Sequence, residues 1–171
     1  MAAYNFKAQY IVGNWRDGRG EAEMIDVNPY TSDVIDRFPG ASVEDVDAAY
    51  QAAVAAQKDW ADTRPGERAA IFHRAAAIME RRHDEVVDWL IREAGSSRMK
   101  AEIEFGSVLG VTREAASIPY RMEGWIIPVD TADTESRVYR RPIGVVAVIS
   151  PWNFPGRHYR RRTRPRHTFS H

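Results

Sequence analysis

The stretch Gly144-Val145-Val146-Ala147-Val148-Ile149-Ser150-Pro151-Trp152-Asn153-Phe154-Pro155 decides the fold class. Ile143 to Ile149 is almost continuously apolar and rich in β-branched residues, which predicts a strand covered on both faces, as in a parallel sheet. Ligands of open parallel sheets bind beyond the carboxyl ends of the strands, where loop amides and helix N-termini converge. Pro151 to Pro155 stands at such an end. Two prolines bracket a Trp, an Asn and a Phe, so the segment is stiff and its side chains lose little entropy on being fixed. An asparagine amide held in this way can donate to a developing oxyanion. Spacing alone favours a simpler assignment, in which Trp152 and Phe154 pack in a core and Asn153 closes a turn.

Immediately afterwards the pattern stops. Residues 156–171 contain six arginines (157, 160, 161, 162, 164 and 166) and no acid. Such text, beginning inside a motif, has the character of a GC-rich coding region read out of frame, and predicts a basic tail outside the folded domain. Six of the 24 basic residues lie there, which leaves 18 against 24 acidic ones and a body of charge about −6. A mildly acidic body argues against nucleic-acid binding by the folded part. An arginine-rich arm that binds RNA or another anion is the alternative for the tail. His167 and His171 lack a third ligand, so no metal site is expected.

At 171 residues and 44% hydrophobic composition, the chain is the length of one globular domain. It has no cysteine, hence no disulfide, no Cys-based metal site and no thiolate nucleophile. No run of 18 apolar residues and no amino-terminal apolar segment appears, so a cytoplasmic protein without a membrane span is expected.

Upstream of the apolar run, Tyr10–Trp15, Met24–Asn28 and Val34–Phe38 read as an antiparallel meander, with Asn28-Pro29-Tyr30-Thr31-Ser32 as turn chemistry. Ser42 is a candidate N-cap, with Glu44 and Asp45 where the helix dipole favours acids. Val43, Val46, Ala49, Tyr50, Ala53 and Val54 then predict a helix to about Gln57. Pro65 opens a second helix with Ile71, Phe72, Ala75, Ile78 and Met79 on one face. Asp84 opens a third, with Val86, Val87, Leu90 and Ile91, and Gly95 is its expected left-handed stop. Met99 to about Tyr120 is a fourth despite Gly106 and Gly110. Trp125–Val129 and Ser136–Arg141 alternate around a loop and predict a hairpin. His73 and His83 are expected at the surface. Gly106-Ser107-Val108-Leu109-Gly110 places its serine one position too early for a hydrolase elbow.

From Arg141-Pro142-Ile143-Gly144 through Pro151-Trp152-Asn153-Phe154-Pro155, the chain resembles the start of the cofactor domain in the aldehyde dehydrogenase superfamily. Ile25-Asp26-Val27-Asn28-Pro29-Tyr30-Thr31, Val43–Ala49 and Pro65-Gly66-Glu67-Arg68-Ala69 are similar to the same family's N-terminal region, so the resemblance runs from about Tyr10 to Pro155. It implies an α/β fold, an incomplete Rossmann-like cofactor domain with N-terminal antiparallel strands, a helical layer and an oligomerisation hairpin at about 124–141. Residues 1–155 would form this part and 156–171 a tail foreign to the family.

The resemblance further implies oxidation of an aldehyde to a carboxylic acid with NAD or NADP. Asn153 would donate to the oxyanion of a cysteine thiohemiacetal, and Ile149, Ser150, Pro151 and Trp152 would line the cofactor cleft. The Arg137–Pro142 run and Ser150 are most similar to members acting on aromatic aldehydes such as benzaldehyde or vanillin. The family's nucleophilic cysteine and general-base glutamate correspond to positions beyond Pro155, so the chain alone is expected to be inactive. At 93–97 it carries Glu-Ala-Gly-Ser-Ser where many relatives have a Thr-Gly-Lys-Pro type turn. The competing expectation is a truncated, non-catalytic product that joins a full-length subunit through its hairpin.

Overall fold

A computed structural model of the chain describes residues 8–151, 153 and 154. The described residues form three separate antiparallel strand pairs and four helices, a mixed helix and strand arrangement. They divide into two units: the chain up to Trp60 with Asp84–Ile103, and Ala61–His83 with the chain from Glu104 onward.

In the first unit β1 (Gln9–Ile11) pairs with β2 (Asn14–Arg16), with Tyr10 opposite Trp15. The expected single strand Tyr10–Trp15 is therefore two strands folded back on each other. Val12 and Gly13 both adopt positive φ, 53° and 76°. Two such residues make the tight turn whose twist matches a hairpin, and Asn14 secures it by donating from Nδ2 to the Val12 carbonyl at 3.0 Å. The Tyr10 and Trp15 rings meet at 5.1 Å between centroids. β3 (Glu23–Val27) pairs with β4 (Val34–Pro39) in a sheet of its own, so no meander forms. Its turn follows the sequence: Asn28 Oδ1 accepts from the amides of Tyr30 and Thr31 at 2.9 and 3.3 Å.

Helix α1 spans Val43–Asp62 and runs past the expected end at Gln57. Ala55, Ala56 and Ala61 favour its continuation, and Arg64, the residue before Pro65, is driven to extended backbone with ψ 149°. Its buried residue is Asp45, whereas of the expected stripe Val43, Val46, Tyr50 and Val54 are exposed and Ala49 and Ala53 half-buried. Burial here follows a hydrogen-bonded carboxylate rather than the apolar stripe. Helix α3 spans His83–Ala94 and buries Val87. Gly95 ends it at φ +60°, and a Cβ at that glycine would stand 2.8 Å from Pro29 Cγ, so both conformation and space require glycine there. Ser97 then caps α4 (Arg98–Ser117) by accepting from the Lys100 amide at 3.2 Å.

In the second unit α2 spans Pro65–Arg81, with proline in its first turn and Glu67 reaching back to the Arg64 amide at 3.3 Å. The buried Thr112 of α4 donates to the Val108 carbonyl at 2.8 Å and lies 3.6 Å from Met79 Sδ of α2, while Arg113 pairs with Glu80 at 2.5 Å. A 3-10 turn, Ile118–Arg121, follows and brings Tyr120 Oη within 3.2 Å of the Cβ position of Gly66. His83 is half-buried with its ring edge-on to Phe105 at 4.6 Å, whereas His73 is at the surface as expected. Gly106 and Gly110 have open space where a Cβ would stand. Replacing either with alanine should raise stability by about 0.5–1 kcal/mol, since alanine loses less backbone entropy in a helix; urea midpoints of the two variants measure this.

β5 (Trp125–Ile127) pairs with β6 (Ser136–Val138), setting Ile126 opposite Arg137. The hairpin is where the sequence places it but shorter than the expected 125–129 and 136–141. A side chain at Gly124 would collide with the Val138 carbonyl, which fixes glycine at its entry.

Candidate functional site

From Tyr139 to Pro151 no residue is in a strand. The expected buried strand Ile143–Ile149 is thus replaced by irregular chain, with Gly144 at φ +93° and Ile143 and Ile149 88% and 87% exposed. The physical reason is pairing: a central strand of a parallel sheet exists only where neighbours on both sides satisfy its amides and carbonyls, and the described residues supply none.

The site residues expected from sequence sit on this segment. Ile149, Ser150, Pro151 and Asn153 are all exposed, and Trp152 lies outside the described residues. Phe154 is half-buried and takes a positive φ of 57°, so the backbone turns sharply just after Asn153. Asn153 itself stands at the exposed surface of this turn. No group of three His, Asp or Glu side chains among the described residues could hold a metal ion.

A dinucleotide needs apolar walls for its rings and a cradle of amides for its phosphates. Residues 149–151 and 153 provide two apolar side chains, Ile149 and Pro151, both in the open. As described, they do not by themselves fit NAD or NADP.

The strongest electrostatic constellation lies elsewhere, at the start of α1. The fully buried Asp45 carboxylate accepts from Arg19 N at 2.8 Å, Arg19 Nε at 2.7 Å, Arg16 Nη2 at 3.1 Å and Ser42 N at 3.1 Å. Its own amide donates to Ser42 Oγ at 3.2 Å, completing a reciprocal cap. Backbone hydrogen bonds from Arg19 and Ser42, reinforced by the Arg19 guanidinium, hold the carboxyl far below the usual range despite burial. Sequence reasoning placed Asp45 only as an acid favoured by the helix dipole and gave no signal of its burial. The Ser42-x-x-Asp45 spacing signals the cap, but the arginines 26 and 29 positions earlier carry no local signal. With every oxygen engaged by the chain's own donors, Asp45 is a structural clamp and not a proton carrier.

No helix of the described residues is long and apolar enough to cross a membrane. The hairpin leaves Trp125, Ile126, Val138 and Tyr139 at least one-third exposed, with the Arg140 guanidinium 5.5 Å from the Trp125 ring centre.

Comparison with known proteins places these features. The sequence profile described as Aldehyde dehydrogenase family matches residues 15–165. Vanillin dehydrogenase of Corynebacterium glutamicum is 48% identical over 145 residues, which are 85% of this chain and 30% of the relative. A benzaldehyde dehydrogenase of Bacillus subtilis is 40% identical over 147 residues, covering 86% and 30%. The crystal structure of an NAD-dependent benzaldehyde dehydrogenase from Corynebacterium glutamicum superposes with a TM-score of 0.85 at 46% identity, over 91% of this chain and 34% of that one. The chain thus spans about a third of the length of the relatives it matches.

Proposed function

Because this chain belongs to the aldehyde dehydrogenase family, we propose that it is the N-terminal part of a cytoplasmic enzyme that oxidises an aromatic aldehyde to its carboxylic acid with NAD or NADP. The observation that carries the reading is the joint match in sequence and fold to vanillin and benzaldehyde dehydrogenases over at least 85% of the chain. Residues 1–155 belong to the catalytic framework and 156–171 to a basic extension, a division set by composition.

Asn153 is the chain's contribution to the chemistry. Attack of a thiolate on the aldehyde turns its carbonyl oxygen into an oxyanion, and a carboxamide N–H aimed at that oxygen stabilises the charge as it forms. A nicotinamide cofactor would supply the hydride acceptor for this chemistry. By the family resemblance, Ile149, Ser150, Pro151 and Trp152 would line its cleft once further strands complete the sheet. The 171 residues contain no cysteine, so the thiolate comes from elsewhere. Assay of the chain with benzaldehyde and NAD+, alone and joined to the remainder of a relative, tests the proposal.

A second reading is favoured by the open hairpin. Among the described residues β5 and β6 pair only with each other, and their outer edges with the exposed Ile126 and Tyr139 suit strand addition to another subunit, so the chain would associate with a full-length relative through residues 124–141 without catalysing anything itself. Co-elution with the vanillin dehydrogenase on size exclusion is then expected, and its loss when Ile126 is replaced by lysine. Separate elution of the unaltered pair contradicts this reading.

A further inference from the structure

We draw no further inference here: the strongest candidate, the uncovered apolar run Ile143–Ile149 in the irregular segment after the hairpin, is exposed at both ends, but nothing in the structure shows what covers it.

Discussion

Asn153→Ala lowers kcat by about 100- to 1,000-fold in a chimera that joins residues 1–155 of this chain to the downstream part of Corynebacterium glutamicum vanillin dehydrogenase. The expectation rests on where charge develops. A carboxamide donor gains little from the neutral aldehyde but much from the oxyanion, so its removal raises the barrier more than it weakens substrate binding. KM for vanillin should therefore change far less than kcat. Asn153→Asp should be at least as damaging, because a carboxylate repels the oxyanion instead of donating to it. Steady-state kinetics with vanillin and benzaldehyde measure both variants. A chimera whose kcat is unmoved by Asn153→Ala would show that the residue only closes a turn, as spacing alone suggests.

The largest expected effect on stability is at Asp45. Asp45→Ala should lower Tm by roughly 5 °C or more, as it leaves the Arg16 and Arg19 guanidiniums and two main-chain amides facing a void. Arg19→Ala added to it should cost little more, since both substitutions dissolve the same network. The pH dependence follows from the depressed carboxyl. A group with a folded pKa below its unfolded value contributes stability above the unfolded pKa, and loses it as pH falls through the folded one. The unaltered chain should thus lose stability below about pH 4, where an unfolded aspartate takes up its proton. Asp45→Asn, with nothing to titrate, should be less stable at neutral pH and show a flatter acid limb. Thermal melts between pH 3 and pH 7 distinguish the two.

Where stop and start signals are local, the sequence and the fold agree. Ser42, Pro65 and Gly95 each act through their own neighbours, by capping, by fixing φ or by adopting the left-handed conformation, and each marks a helix boundary where it was expected. The hairpin at 125–138 was legible from its period of two. Three features escaped, two of them because their causes are not local. The turn at Val12 and Gly13 requires a β-branched residue at positive φ, which the tight pairing of Tyr10 with Trp15 stabilises against its intrinsic preference. Asp45 is buried by arginines more than 25 residues away. Ile143–Ile149 has the composition of a central strand, but composition cannot supply the neighbouring strands that make one.

The candidate site divides in the same way. The Pro151-Trp152-Asn153 motif marks the family in the sequence alone, and the relatives at 48% and 40% identity agree with the aromatic-aldehyde resemblance. What the motif does chemically depends on a thiol nucleophile that the 171 residues do not contain and on a parallel sheet that the described residues do not form.

The central claim is that these residues are a working part of an aldehyde-oxidising framework and are inert without the rest. Absorbance at 340 nm, followed with benzaldehyde and NAD+ for the chain alone and for the chimera in parallel, tests it most directly. The account predicts a flat trace for the chain and an aldehyde-dependent rise for the chimera. A rise from the cysteine-free chain itself, or a folded, soluble chimera that reduces no NAD+, would contradict it.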